Sequence, residues 1–489
     1  MTGDEADTAD LAIVGGGPAG LAALALAADC GLRCLLIEES EALGGRVLHG
    51  LEGTDDAGRP HPEAGWGRPL LAQARNAPGA SILCGHSLVD ITPAEIAPLG
   101  LHLVRNSKLR TCTARRLLLA TGSAERAVAI PGWTRPGVMT AGGVQTLMKG
   151  AAIVPEGQVV LAGTGPLLLL LAAQLHRAGV RIAALLDTTP RRHLLAAAPL
   201  LPGALLWGSV TWQGLGLLAS LRRARIPTFR AVRDLSVDSA GTDTDGDASH
   251  RVTFSHGGRR RSIDCALLIV HFGVVPDTEA ARLAGCRVHW AEDLPGWAPV
   301  VDRDGKSTRT DILIAGDAAG IDGAEAARHS GRIAAAEAAV QLGKLTSPRR
   351  DALIAADRLR LTRLRRERAF LNRLFLPPDS LRRQPDDNVI ICRCEEVTAG
   401  ELRRLAAAGV HHIGRMKALT RCGMGTCQGR ICGTPAAEII AEATGLAMPR
   451  VGALGARPPL KPLPIAALAA QDGTAAPPHE MRFVYTRDS

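Results

Sequence analysis

The chain has 489 residues, room for about two to four domains and a sizeable buried core. Its 46% hydrophobic and 21% charged residues are ordinary for a globular protein, while 3% aromatics, with Tyr485 the one tyrosine, argue against base stacking on aromatic rings. Net charge is +9, from 57 Lys+Arg against 48 Asp+Glu, so a nucleic-acid or anionic-surface reading stays open until the position of that charge is known.

The first residues are acidic, with no positive flank leading into an apolar core, so no secretory signal is expected. Leu11 to Val14 reads as a strand, Gly15-Gly16-Gly17-Pro18-Ala19-Gly20 as a tight turn, and the Ala/Leu stretch to about Ala28 as a helix. A second strand, Cys34 to Ile37, ends at Glu38. This order is the dinucleotide fingerprint. The first glycine permits the turn, the second lets backbone approach a pyrophosphate, and the third lets helix and strand pack closely. Glu38, 18 residues past Gly20, is placed to accept from ribose hydroxyls. Further on, Leu117 to Leu119 is an apolar strand ending in Ala120-Thr121-Gly122.

A second such unit starts near Gln158, with a strand Val159 to Ala162, then Gly163-Thr164-Gly165-Pro166-Leu167-Leu168 and a strand Ile182 to Leu186. Leu168 stands where the third glycine belongs, and is expected to push the helix off the strand and spoil the pyrophosphate site. Nicotinamide dinucleotide, an adenine nucleotide alone, or a purely structural role remain open for this unit. The longest run free of polar side chains, Leu194 to Gly208, is too short to span a bilayer and is broken by Pro199, Pro202 and Gly203. A strand from Thr308 ends in Gly316-Asp317 and precedes an alanine-rich helix from about Ala324 to Ala339. Asp317 suits a ribityl hydroxyl, and equally suits plain helix capping.

Between Arg349 and Arg383 there are 11 arginines and four acids, a net of +7. Leucines and phenylalanines recur there at near-helical spacing, so residues 346–387 read as a basic amphipathic connector stopped by Pro377-Pro378. A solvated face is the plain reading, and docking of an acidic partner is the other. Most of the excess charge therefore sits in one helix, which removes the case for nucleic acid.

Of 11 cysteines, Cys392, Cys394, Cys422, Cys427 and Cys432 crowd into one short stretch, and the other six are scattered in apolar settings. A cluster of this kind in a reducing compartment reads as a metal site. Cys392, Cys394, Cys427 and Cys432 give C-x-C-x32-C-x4-C, which fits [2Fe–2S] better than the C-x2-C pairs usual for zinc. Cys422 is then the spare thiol. Glycines 423, 425 and 429 are expected to turn backbone N–H groups toward cluster sulfides.

Several stretches together resemble the flavin and iron–sulfur subunit of heteromeric amino-acid and amine dehydrogenases. That family includes the B-subunit of hydrogen cyanide synthase, the A-subunit of opine oxidase and the alpha subunits of dye-linked proline or hydroxyproline dehydrogenases. The match is carried by Val14 to Gly20, Gly44-Gly45-Arg46, Ala120 to Gly122, Ile130 to Ala141, Gly163 to Leu168, Phe272 to Pro276, Ala315 to Asp317, both cysteine groups and Arg457 to Pro462. The segment Gly423-Met424-Gly425-Thr426-Cys427-Gln428-Gly429-Arg430 is its most discriminating part.

The resemblance implies an α/β fold of two interleaved Rossmann-like dinucleotide domains, as in disulfide-reductase flavoproteins, plus a small C-terminal module like bacterioferritin-associated ferredoxin (BFD-like). The expected division is 1–149 and 277–345 for the FAD domain, 150–276 for the second dinucleotide domain, 346–387 for the connector, 388–445 for the BFD-like module and 446–489 for a proline-rich tail. FAD contacts are expected at Gly15, Gly17, Pro18, Ala19, Gly20, Glu38, Glu39, Gly45, Arg46, Ala120, Thr121, Gly122, Gly316, Asp317 and Ala324. Implied partners are a second FAD subunit like D-amino-acid or sarcosine oxidase, where the C–N bond is oxidised, and a small ferredoxin-like [2Fe–2S] chain. Neither nucleic acid nor a transmembrane segment is expected, and the chain reads as cytoplasmic, with membrane association through its complex left open.

The reductases' Cys-x-x-Cys is missing, since Gly44-Gly45-Arg46 runs on into Val47-Leu48-His49. No residue stands out as a proton-abstracting base, which suits an electron relay. A self-contained NAD(P)H-dependent oxidoreductase is the alternative, and an iron–sulfur sensor without flavin is a third.

Overall fold

The computed structural model of the chain describes residues 8–49, 51, 63–92, 98–207, 209–242 and 248–469. Tyr485 and the end of the proline-rich tail lie outside them.

The fingerprint elements form where periodicity places them: a strand Thr8–Val14, a helix Pro18–Asp29 and a strand Cys34–Ile37. They belong to a seven-stranded mixed sheet in the order 80–83, 34–37, 8–14, 108–119, 99–105, 87–92. Neighbours 80–83, 34–37, 8–14 and 108–119 run parallel, and the two outer strands fold back as an antiparallel meander. The late strand Ile312–Ile314 also joins this sheet, parallel to Lys108–Leu119. The first domain is thus completed by residues some two hundred positions downstream, which is what makes the two domains interleave.

Two helices cover this sheet at close quarters. Pro18–Asp29 is buried along nearly its whole length, and Ala324–Gln341 packs beside it with Ala334, Ala335, Ala336, Ala338 and Ala339 fully buried. Alanine and glycine let the two backbones approach, because a Cβ at Gly331 would lie 2.1 Å from the carbonyl oxygen of Ala19.

The second sheet is all parallel, in the order 228–230, 181–187, 158–164, 267–272, 138–140. Its edge strand Val138–Thr140 comes from before residue 150, so the second domain starts earlier than the sequence suggested. A three-stranded antiparallel meander, 233–242, 248–256 and 259–265, flanks it. The domains are joined by two short antiparallel strands, Ser123–Glu125 and Val274–Pro276.

The connector is two helices, Ser347–Leu353 and Ala355–Leu374, followed after Pro377-Pro378 by a turn of helix at Asp379–Arg382. Its basic face is less solvated than expected. Arg350 meets Glu337, Arg358 meets Asp304, Arg360 meets Glu325 and Arg365 meets Asp322, all acids of the flavin domain. From the other side, His329 and Arg332 reach the connector's Asp357 at 2.7 and 3.0 Å. The helix is strapped to its neighbour by charge.

The C-terminal module packs three helices, Ala399–Ala407, Ile413–Thr420 and Gly433–Thr444, against a small hairpin, Ile390–Cys392 with Val397–Thr398. Its core extends beyond residue 445, taking in Met448, Val451 and Leu454, and it also holds Ala129 and Trp290 of the flavin domains. The chain then returns to the first domain, where the N–H of Leu460 donates to the carbonyl of Val89 at 2.8 Å.

Arg382 and Glu438 form an ion pair with both side chains almost fully buried, joining connector to module. A buried pair that loses one member leaves a poorly compensated charge, here with the largely exposed Asp379 as Arg382's remaining partner. Glu438→Gln is expected to lower stability by about 3 kcal/mol, read as a fall in Tm. The double replacement Arg382→Met with Glu438→Leu should recover most of that loss.

Candidate flavin site and thiolate centre

Register gathers the first site. Val14 is paired with Ile37 and with Leu119, and Leu119 with Ile314, so four parallel strands end in line. The residues that follow them, Gly15, Glu38, Ala120 and Ala315, emerge together at the carboxyl edge, where open α/β sheets bind their ligands.

The glycines have separate steric duties. Gly15 has φ +108°, and a Cβ there would lie 2.3 Å from the carbonyl oxygen of Ala120; at Gly20 it would lie 1.8 Å from that of Gly15. Gly17 is different, since a Cβ on it would meet nothing nearer than the Cα of Gly45 at 4.0 Å. Its backbone fronts open space, as close approach to a pyrophosphate requires. The loop at Gly44 and Gly45 lies alongside, with the Gly44 N–H donating to the Gly16 carbonyl at 2.8 Å. Pro18 and Ala19 are buried at the helix start, aiming its N-terminus at this space.

Glu38 is buried, and its carboxylate braces the turn: Gly16 N–H donates to Oε2 at 2.6 Å and Ser40 N–H to Oε1 at 2.8 Å. Each oxygen retains a lone pair, so ribose recognition and turn support are compatible. Glu39 is exposed and ion-paired with Lys461 of the returning tail. Arg46 Nη1 donates to the Ser123 carbonyl at 2.9 Å, Thr121 Oγ1 to the Asp277 carbonyl at 3.2 Å, and Asp277 N–H to the Gly122 carbonyl at 3.0 Å. Gly316 adopts φ +69° against Ala19 and donates its N–H to Ser330 Oγ at 2.9 Å.

Asp317 Oδ1 accepts from Gly323 N–H at 3.1 Å and from Asp322 N–H at 3.3 Å, holding the loop that leads into the helix starting at Ala324. Burial pushes its carboxyl up, against the pull of the Gly323 N–H and of Arg368 on the connector. Capping thus occupies one oxygen of the residue expected to serve the cofactor.

The second glycine turn is lined by a residue the sequence did not point to. Leu168 is comfortably buried in the second domain's core with Val159, Leu161 and Leu171, so it does not disrupt packing as expected. Gly163, at φ +134°, is wedged against the carbonyl of His271 instead. The His271 ring stands 3.2–3.3 Å from where a Cβ of Gly165 would be, filling space beside the second glycine. The ring is buried and fixed, with Nδ1 2.7 Å from Glu125 Oε1, while Glu125 Oε2 accepts from Gly142 N–H at 2.8 Å. Next to it, Arg126 is buried with Nε, Nη1 and Nη2 lacking a hydrogen-bond partner among the described residues. Burial and the nearby Arg382 charge push Arg126 down to about 9.

All five C-terminal cysteines lie in one region. The sulfurs of Cys392, Cys422 and Cys432 are within 4.8 Å of one another and all three residues are buried. Cys427 is half-buried and its thiol is raised by hydrogen bonding to Cys432. Cys394 is exposed, lying against Gly425, with its sulfur 3.9 Å from Thr426 Oγ1. Position therefore does not set Cys422 apart as the spare thiol. Arg421 ends the preceding helix in the left-handed region at φ +63°, which turns Cys422 into the group, and Thr420 Oγ1 accepts its N–H at 3.1 Å.

The glycines of this loop serve packing. A Cβ at Gly423 or Gly429 would strike Leu454, and one at Gly425 would strike Cys394. A convergent all-sulfur donor set suits an iron–sulfur centre or zinc.

The fold and these two sites define a flavoprotein of the two-dinucleotide-domain type carrying a thiolate module. Residues 9–198 match the family described as pyridine nucleotide-disulphide oxidoreductase, and residues 388–472 match the sarcosine oxidase A3 domain. The A-subunit of opine oxidase from Agrobacterium tumefaciens (strain Ach5) is 35% identical, over 96% of this chain and 93% of that protein. The hydrogen cyanide synthase subunit HcnB of Pseudomonas aeruginosa is 33% identical, over 94% of this chain and 97% of that one. Among solved structures, L-proline dehydrogenase from P. horikoshii shares the fold at a TM-score of 0.68 and 20% identity, over 94% of this chain and 79% of that one. The chain belongs to the family of flavin-dependent oxidoreductases formed by these opine oxidase and hydrogen cyanide synthase subunits.

The Glu125–His271 contact makes a pH-dependent contribution. Burial alone would raise the Glu125 carboxyl, but His271, Thr140 and the Gly142 N–H outweigh it and hold the carboxyl below its ordinary value. A carboxyl depressed by folding stabilises above its unfolded value, about 4.3, and that contribution is lost as pH falls through the lower folded value. Wild-type Tm should therefore drop more steeply below about pH 4.3 than that of Glu125→Gln, which starts lower at neutral pH. Parallel Tm–pH curves would show that the contact contributes nothing.

Proposed function

We propose that this chain is the electron-transfer subunit of a heteromeric dehydrogenase or oxidase that opens the C–N bond of an amino acid, an opine or a secondary amine. The observation that carries this is a glycine cradle open at Gly17 in the same chain as a buried three-sulfur group at Cys392, Cys422 and Cys432. FAD and [2Fe–2S], when bound, supply a two-electron and a one-electron acceptor, together able to split an amine oxidation into single transfers.

The chain's own residues have holding roles. Gly17, Ala19 and Gly20 at the helix start would present backbone N–H groups to the pyrophosphate while Gly15, its own N–H held by the Ile37 carbonyl, makes the turn; Glu38 would accept from the ribose and Asp317 from the ribityl chain. Cys392, Cys394, Cys427 and Cys432 hold the cluster, Cys394 and Cys427 closing in from the solvent side. Cys422 is left out of this set by motif spacing alone, its sulfur lying within 4.8 Å of those of Cys392 and Cys432. Bond breaking falls to a partner FAD subunit resembling D-amino-acid or sarcosine oxidase, with a small ferredoxin-like [2Fe–2S] chain as a further partner.

His271 beside Gly165 counts against a nicotinamide dinucleotide at the second turn. An adenine nucleotide bound without the nicotinamide half remains the candidate ligand there. The alternative, a self-contained NAD(P)H-dependent oxidoreductase, needs that turn open.

Co-purification with identification of the accompanying chains, together with an absorbance spectrum and metal analysis, tests the reading. Stoichiometric flavin, with iron and sulfide in equal amounts, is expected. Cys394→Ser and Cys432→Ser should lose the cluster bands while Cys422→Ser keeps them, and Gly17→Val should lose the flavin. Zinc in place of iron with no visible chromophore, or NADPH reducing the flavin as fast as turnover, would overturn it.

A further inference from the structure

The neighbouring parallel strands Arg181–Asp187 and Thr228–Arg230 are joined by residues 188–227, where a crossover needs only about a dozen residues. The surplus is a helical insertion, Arg191–Ala197, Leu201–Trp207 and Ser209–Arg223. Part of its packing is inside out. Against Phe370 and Leu371 of the connector it buries small residues, Ala197 and Ala204, both fully inaccessible. Several of its large apolar side chains point the other way, although Leu221 and Leu217 of its last helix pack into the second domain's core. Leu194 and Leu195 are 59% and 74% exposed, Trp212 is 60% exposed, and Leu200, Leu201 and Leu215 are exposed too. The hydrophobic effect favours the reverse arrangement unless another apolar phase covers the leucines.

Charge identifies that phase. From Thr188 to Arg233 the sequence has seven arginines and no acidic residue. Arg191 and Arg192 at one end, and Arg222, Arg223 and Arg225 at the other, are exposed, and none pairs with an acid among the described residues. The connector's arginines behave differently, since Arg350, Arg358, Arg360 and Arg365 each meet a carboxylate.

We propose that this insertion rests on an anionic lipid surface. The leucines and Trp212 enter the boundary between headgroups and acyl chains, and the flanking arginines reach lipid phosphates. Arginines alone would suit any polyanion, but the leucines require an apolar phase. A protein interface has an apolar core too, so a partner chain on this patch is the outcome that the test below separates from lipid. The centre of this patch is leucine with Pro199, Pro202 and Gly203. No helix among the described residues is long and apolar enough to cross a membrane, so the contact is interfacial.

The test is flotation of the full chain, alone and as its purified complex, with vesicles of phosphatidylcholine or of phosphatidylcholine containing phosphatidylglycerol. Binding to the anionic vesicles should exceed binding to the neutral ones by about tenfold or more, and should fall with added salt. Leu194→Glu with Leu195→Glu, both exposed and so harmless to the core, should cut it by about tenfold with flavin content and Tm unchanged. Arg191→Gln with Arg192→Gln should reduce the preference for anionic vesicles. Failure of both preparations to float, or equal flotation of the Leu194→Glu, Leu195→Glu variant, would overturn the proposal. So would release of a partner chain by that variant without any vesicle binding, which would make the patch a protein interface.

Discussion

Four strands ending in step are the constraint on which the first site depends. Val14, Ile37, Leu119 and Ile314 lie on one line across the sheet. A slip of one residue in any pairing would turn that strand's side chains to the opposite face and carry its end out of line. The line brings together segments separated by about three hundred positions, and the close fit of Gly331 over Ala19 keeps the last of them from drifting. Cofactor recognition here is therefore a property of strand pairing first, and of particular side chains second.

Electrostatics does a second kind of joining. The +9 charge is concentrated in the connector, yet much of that helix faces carboxylates supplied by the flavin domain. Partly exposed pairs of this type add little stability one at a time. In a row along one helix they fix its register, and the buried Arg382–Glu438 pair passes that alignment on to the cysteine module. The arginines left over by this arrangement lie at the two ends of the Leu-rich insertion, away from the acids.

Local patterns are legible in the sequence, and through-space ones are not. The glycine turn, its flanking strands, the alanine-rich helix and the cysteine module announce themselves because each is encoded within a few dozen residues. The family resemblance follows from the same segments. The obstacle at the second turn reads from the sequence as Leu168, yet it is His271 that reaches Gly165, from the neighbouring strand and more than a hundred positions away. Spacing gives each cysteine's distance along the chain but not its direction, so the left-handed turn at Arg421 that brings Cys422 inward leaves no trace in the motif. Val138–Thr140 is too short a strand to betray that it opens the second sheet. The double duty of Glu38 and Asp317 likewise depends on backbone N–H groups that carry no sequence signature.

The cysteine module is attached at more than one place. Near its start, Trp133 Nε1 donates to the Ile390 carbonyl at 2.6 Å, two residues before Cys392. At its far end, Leu460 is bonded to Val89, Lys461 to Glu39, and Arg430 to the Leu460 carbonyl. A body pinned once can swing about the pin, whereas one pinned at separated points is triangulated. The gap between the sulfurs and the strand ends is then a fixed length of the scaffold, like the span of a braced truss. Lengthening the chain between the last cysteine and Leu460 would change that span without replacing a ligand.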